Sequence, residues 1–231
     1  WFAGETISLG IGQGYNSFTM LQLAQATATL ANGGAKHKPQ LVIATQDAST
    51  HVQIPVPSEP AQPLGYKPEH VEIVRNAMVG VTQGGTSTRV FAGAGYLSGG
   101  KTGTAQAVSL GQKERYNAAK MEERQRDHSL YIAFAPANDP KIALAVIVEN
   151  AGFGSTSAAP IARRTFDYWL MGQYPNAEDL AAVSKGMATA PIGKPLVAST
   201  VPWPRTTGAS APASAPASRG AASAKRRRKW S

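Results

Sequence analysis

At 231 residues the chain has room for one domain or one and a half, and 42% hydrophobic residues suffice for a core. The net charge of +9 does not mark a nucleic-acid binder, because the stretch from Gly172 to Ser231 holds nine Lys or Arg against Glu178 and Asp179 and leaves only +2 on the body. Zero cysteines exclude disulfides and thiolate-bound metal.

The first helix is signalled in FTMLQLAQATATLANGG. Thr19 and Gln22 form a capping box, Met20, Leu23, Thr27 and Leu30 recur at helical spacing, and Asn32-Gly33-Gly34 stops the run. KPQLVIA reads as a strand, followed by a proline-punctuated loop from Pro55 to Pro63. A second helix starts near Pro68, with an apolar stripe of Val71, Val74, Met78 and Val81, and ends at Gly84-Gly85. TAQAV reads as strand, a polar, charge-rich stretch from about Ser109 to Asp127 follows, and within it KMEERQRD reads as a solvated helical face with i,i+4 pairs. LYIAFAP and KIALAVIVE flank Asn138-Asp139-Pro140 as a hairpin, and their near-continuous apolar character predicts cover on both faces. APIARRTFDYWLM is a last helix that offers Ile161, Phe166, Trp169 and Leu170 for packing. Beyond it Ala, Pro and Ser take over and the chain closes on KRRRKWS, so residues 172–231 are expected as a disordered basic tail. Its cluster Lys225 to Lys229 suits an anionic surface or simple solubilisation equally.

GYLSGGKTGT, residues 95–104, admits two chemistries. Gly95, Gly100, Lys101 and Thr102 spell the phosphate loop G-x-x-x-x-G-K-T, and the same letters contain K-T-G, the lysine box of penicillin-interacting serine enzymes. A phosphate loop needs a buried strand leading in and a helix leading out. FAGAGYL is too rich in glycine for the first, and Gly103-Thr104 discourages the second. If residues 101–106 instead form an edge strand, its backbone can pair with a peptide-like substrate. Lys101 then faces a substrate carboxylate, Gly103 clears space for the acyl group, and the Thr104 N–H serves as an oxyanion donor. Thr102 and Thr104 fall on one side of such a strand and offer hydroxyls.

GGKTGTAQ, then a long polar insert, then YIAFAP and ALAVIVEN, resembles the C-terminal part of a penicillin-binding transpeptidase. ERYNAAKMEERQRDHSLYIAFAP and the opening GETISLGIGQGYNSFTMLQLAQATATLANGG are similar to the class B, penicillin-binding protein 2 type of cell elongation. The resemblance covers residues 1–171 and implies the C-terminal portion of an α/β (α+β) fold of the serine β-lactamase kind, an antiparallel sheet flanked by helices. It implies Lys101 as a catalytic residue and Thr102, Gly103 and Thr104 as substrate-binding ones, the hydroxyl roles resting on the resemblance alone. Stem peptides ending in D-Ala-D-Ala and β-lactams are the implied ligands, with a membrane glycan polymerase and an elongation scaffold protein as partners at the periplasmic face of a bacterial inner membrane. No cofactor, metal or nucleic acid is implied.

The pattern departs from the family in one respect. The family's serine sits one helical turn before an activating lysine, S-x-x-K, with S-x-N or S-x-D on a second loop. Residues 1–171 hold no S-x-N or S-x-D, and their one S-x-x-K is Ser98-Gly99-Gly100-Lys101. Its two glycines disfavour a helix by roughly 2 kcal/mol relative to alanines, so the nucleophile is expected upstream. The chain opens on Trp1-Phe2 without methionine and contains no run of about 18–20 apolar residues, so it reads as a piece of a longer protein whose anchor would also lie upstream. D,D-transpeptidation, D,D-carboxypeptidation with water in place of the acceptor amine, and a non-catalytic peptidoglycan- or β-lactam-binding module all remain open. His37, His51, His70 and His128 are not at metal-ligand spacing. Arg126-Asp127-His128 reads as an organiser of the insert in preference to a catalytic His128, and Tyr116 as a candidate for lining the substrate groove.

Overall fold

The computed structural model describes residues 1–108, 116–187 and 189–202. The chain divides into two compact units, Trp1–Val201 and Pro202–Ser231; beyond Pro202 the second lies outside the described residues.

The first unit is built on three antiparallel strands, Gly99–Ala105, His128–Ala135 and Ile142–Val148, hydrogen-bonded in that order. In chain order its elements are α1 (Ala3–Gly10), α2 (Met20–Ala31), β1 (Ala35–Lys36), β2 (Ala44–Gln46), β3 (Gln53–Pro55), β4 (Gln62–Pro63), α3 (Pro68–Gln83), α4 (Thr88–Phe91), β5 (Gly99–Ala105), β6 (His128–Ala135), β7 (Ile142–Val148), α5 (Ala158–Met171), β8 (Gln173–Tyr174), α6 (Ala177–Ser184) and β9 (Leu196–Val197). β6 and β7 form the expected hairpin, registered Ser129 to Val148 and Ala135 to Ile142.

Both faces of the sheet are covered, as the unbroken apolar runs predict. Period-two alternation sends Tyr131, Ala133 and Ala135 to one face, where they meet Val90 and Phe91 of α4 and Ala158, Ala159, Ala162 and Phe166 of α5. The alanines let α5 lie close to the sheet, and the rings of Phe91, Tyr131 and Phe166 fill the remaining space at centroid separations of 6.1 and 6.4 Å. Phe134 goes to the other face and packs with Ala137, Ala31 of α2 and Met78 of α3. Full burial of a phenylalanine contributes about 1.5–3 kcal/mol, so Phe134 and Phe166, both at 0% exposure, are principal anchors of the two layers.

Helix α2 starts where its capping box predicts: Thr19 Oγ1 accepts from Gln22 N–H, and Gln22 Oε1 accepts from Thr19 N–H. Gly33 and Gly34, at φ 71° and 89°, turn the chain away at its end. Helix α3 begins with Pro68 in its first turn. Its buried stripe is Val71, Met78 and Thr82 rather than the expected Val71, Val74, Met78 and Val81, and Val74 is exposed. The helix is rolled so that Thr82 reaches the sheet, where its hydroxyl donates to Ser98 O.

Four other expectations are corrected. KPQLVIA is a strand only at its end: β2 begins at Ala44, and Leu41, Val42 and Ile43 are exposed outside both cores. KMEERQRD is not a helix but two 3₁₀ turns, Ala118–Lys120 and Glu123–Gln125, with an Arg124–Glu122 pair two residues apart. Residues 109–115 of that insert lie outside the described residues. Trp169 is exposed, whereas Arg163, Arg164 and Asp167 of the same helix are buried. Finally, the folded body does not stop at residue 171: Gly172 caps α5 in the left-handed conformation, and β8, α6 and β9 follow. What holds them is charge, which a search for apolar runs passes over. Arg164 is bidentate to Asp179 of α6, and both are buried.

Candidate functional site

The lysine box lies on β5, an edge of the sheet among the described residues. The strand runs on through Ala105, so no helix springs from Gly100-Lys101-Thr102 and the phosphate-loop reading is excluded. Ser98 and Lys101, three residues apart in extended chain, face opposite sides. Ser98 is moreover buried beneath α3, so the S-x-x-K match is not a nucleophile pair.

The two glycines before Lys101 serve packing. A Cβ on Gly99 would stand 2.6 Å from Phe134 Cζ, and one on Gly100 would stand 2.2 Å from Tyr131 Oη. The aromatic rings of β6 therefore occupy the places that side chains would need. Burial pushes the Tyr131 phenol up to about 12; the ring is a neutral, fixed wall beneath the strand. Gly100→Ala is expected to cost at least 1–3 kcal/mol through overpacking, because Tyr131 is fully buried and has nowhere to retreat. Urea unfolding monitored by tryptophan fluorescence checks this, and an unchanged midpoint would show that the ring gives way.

Past Lys101 the strand turns its polar groups outward. Gly103 and Leu130 face each other across the ladder, and Thr104 faces Ser129. Antiparallel pairs alternate, so if Gly103 bonds to β6, the N–H and C=O groups of Thr102 and Thr104 point to the free side. Two contacts agree: Thr102 O accepts from Lys101 Nζ at 2.7 Å, and Thr104 O accepts from Gln13 Nε2 at 2.9 Å. Thr102 and Thr104 share the face that carries Tyr131 and Ser129, and Lys101 lies on the other. Thr102 Oγ1 is 3.1 Å from Thr86 Oγ1. A Cβ on Gly103 would meet Leu130 Cβ at 3.2 Å, so its bareness matters less on the sheet side than at Gly99 and Gly100.

The loop after β7 closes over this end of the sheet. Gly154 is so near the ladder that a Cβ there would fall 2.2 Å from Leu130 O and 2.7 Å from Gly103 O. Ser129 Oγ ties the same loop down, donating to Phe153 O and accepting from Ala158 N–H. His128 Nδ1 accepts from Asn150 N–H, and Asp127 O accepts from Gly152 N–H. Tyr116 Oη accepts from Asp127 N–H. These residues bind the base of the insert together, the organising role expected for Asp127-His128. Among the described residues no cluster of His, Cys, Asp and Glu could hold a metal, and no helix is long and apolar enough to cross a membrane.

Sequence reasoning placed Lys101, Thr102, Gly103 and Thr104 on one edge strand but missed Gln13 and Thr86. Gln13 lies 91 positions from the carbonyl it touches, and no periodicity reports a contact at that range. Its only local signal is the pair of glycines around it, Gly12 and Gly14, both at positive φ.

The chain matches the penicillin binding protein transpeptidase domain over residues 1–167. It is 41% identical to the peptidoglycan D,D-transpeptidase MrdA of Haemophilus influenzae over 187 residues, which is 77% of this chain and 28% of that protein. It therefore spans under a third of that relative's length. Among solved structures it is similar to Pseudomonas aeruginosa PBP2 in complex with WCK 5153, at 38% identity and a TM-score of 0.57, covering 77% of this chain and 35% of that one. It is also similar to penicillin-binding protein A of M. tuberculosis in its imipenem acyl-enzyme complex, at 32% identity and a TM-score of 0.56, covering 71% and 33%. A lysine box on an open β-edge, backed by two aromatic rings and two helical layers, is thus joined to a match across most of the body, and the chain belongs to the penicillin-binding protein transpeptidase domain family.

Proposed function

We propose that the chain is the C-terminal portion of a peptidoglycan D,D-transpeptidase and supplies its substrate-binding edge. The observation that carries this reading is the outward pair of carbonyls at Thr102 and Thr104, with the Lys101 ammonium beside them. An extended stem peptide ending in D-Ala-D-Ala lies along β5 as an added strand. Its terminal carboxylate meets the Thr102 and Thr104 hydroxyls and the Lys101 ammonium, which folds from the other face over the strand edge; its scissile carbonyl oxygen accepts from the Thr104 N–H, and its acyl-side N–H donates to Thr104 O. A serine hydroxyl supplied from outside residues 1–231 attacks the penultimate D-Ala carbonyl and passes its proton to an adjacent base. The C–N bond to the terminal D-Ala breaks, and that D-Ala leaves with a proton on its amine. An amine of a neighbouring stem peptide then attacks the ester and restores the serine. A β-lactam acylates the same serine and stalls there; the similar penicillin-binding protein A of M. tuberculosis is an acyl-enzyme complex with imipenem. The resemblance to the elongation-type family supports a setting at the periplasmic face of an inner membrane, beside a glycan polymerase and a scaffold protein.

Two assays test the reading. The full-length protein is expected to form a covalent adduct with fluorescent penicillin, whereas residues 1–231 alone are expected to form none. A labelled band from the 231-residue piece that depends on one of its own serines would overturn the assignment of an external nucleophile. Incubation with donor and acceptor stem peptides is expected to yield cross-linked dimer together with free D-alanine. Free D-alanine without dimer would make the enzyme a carboxypeptidase, and neither product would make it a binding module.

A further inference from the structure

Gln13 has no part in the reaction as drawn, yet it makes a long-range contact to the substrate edge. The loop that carries it is held by hydrogen bonds to the preceding helix and within itself. Gln13 N–H donates to Ser8 O at 2.9 Å, and its own carbonyl accepts from Asn16 Nδ2 at 3.1 Å, which also donates to Leu9 O at 3.0 Å. Gly12 and Gly14 reverse the chain at φ 80° and 67°, and a Cβ on Gly14 would press on Ser8 Cβ at 3.3 Å. The outcome is one half-buried side chain, aimed at Thr104 O at 2.9 Å.

We propose that Gln13 is a positioning residue for the peptide on β5, an inference that rests on the proposed function. Thr104 is the last residue but one of the strand. There the ladder is about to end and fraying is cheapest. Its carbonyl faces away from β6, so without a donor it has only water to hold it. Gln13 supplies a fixed donor to one of the two lone pairs, and the other stays open to the substrate. The peptide's acyl-side N–H thus meets a carbonyl already aimed, and the scissile carbonyl is brought onto the Thr104 N–H next to it. Gln13 acts through Thr104 and touches no reacting atom.

The test uses the full-length protein and two β-lactams: benzylpenicillin, whose acylamino side chain carries an N–H, and a carbapenem with a hydroxyethyl group there and no N–H. Acylation of the wild type by both secures the functional reading independently of Gln13, and its failure with both would remove that reading and this inference with it. Gln13→Ala is expected to slow acylation by benzylpenicillin about three- to tenfold, the loss of one hydrogen bond's worth of alignment, and to leave carbapenem acylation unchanged. Gln13→Glu, which keeps the size and loses the donor, is expected to do at least as much. Carbapenem acylation doubles as the check that each variant is folded. An equal fall with both compounds would make Gln13 merely structural. An unchanged rate with benzylpenicillin, or a faster one, would show that it is idle or competes with the substrate, and either result overturns the proposal.

Discussion

Replacing Lys101 by alanine in the full-length protein is expected to slow acylation by benzylpenicillin about ten- to a hundredfold while leaving the melting temperature within a degree or two. The range follows from one charge-assisted hydrogen bond, about 1.5–3 kcal/mol. The fold is expected to survive because Lys101 is exposed and, among the described residues, its ammonium bonds to the carbonyl of the next residue. That contact also shows where the ammonium sits: folded over the strand edge, where a carboxylate would find it. Lys101→Arg keeps the charge, but a planar fork replaces a compact point charge, so only partial rescue is expected. Stopped-flow acylation separates the terms. A carboxylate clamp predicts a weaker initial complex, whereas an effect confined to the chemical step would place Lys101 in the proton network instead. Unchanged kinetics would leave the lysine box without a function.

Elements with strong local signals were legible in the residues. The Thr19–Gln22 box and the proline at position 68 each mark a helix start with a backbone requirement that few residues meet, and the structure places α2 and α3 there. The hairpin from His128 to Val148 was legible because two apolar runs around Asn138-Asp139-Pro140 have few alternatives. Lys101 to Thr104 were legible as a strand because Gly103 and Thr104 argue against a helix. What failed did so for lack of tertiary information. Leu41, Val42 and Ile43 are as apolar as a core strand, and nothing local says that they stay outside both packed layers. KMEERQRD has the charge spacing of a helix, but Arg126 Nε donates to Ala118 O and the Asp127 N–H to Tyr116 Oη, which draws the segment into turns. Trp169 stays outside, against expectation, for a similar reason. Arg163 meets Asp167 one turn on and the carbonyls of Val90 and Ala92, so its charge is neutralised inside while the indole remains outside. At the site itself, Gln13 was invisible because its partner is remote in sequence.

Asp179→Ala is expected to be the most destabilising substitution in the segment that composition alone assigns to a tail. Asp179 is 1% exposed. Besides the bidentate bridge to Arg164 it accepts from Ile192 N–H at 3.0 Å, and its own N–H donates to Asn176 Oδ1 at 2.9 Å. Arg164 in turn donates from Nη1 to Thr189 O at 2.8 Å. One charge pair thus ties α5, α6 and the chain near residues 189–192 together. Deleting the carboxylate leaves a guanidinium buried without its counter-charge, which costs about 3–5 kcal/mol, or about 6–20 °C in melting temperature for a body of this size. Scanning calorimetry measures the shift, and limited proteolysis is expected to cut first between residues 172 and 201. A buried ion pair is also replaceable, since much of what it contributes offsets its own desolvation. Arg164→Met combined with Asp179→Leu is therefore expected to be more stable than either Asp179→Ala or Arg164→Ala. If Asp179→Ala melts with the wild type, the segment is the loose tail that its composition suggests; if the double substitution is worse than both singles, the pair does more than close a gap.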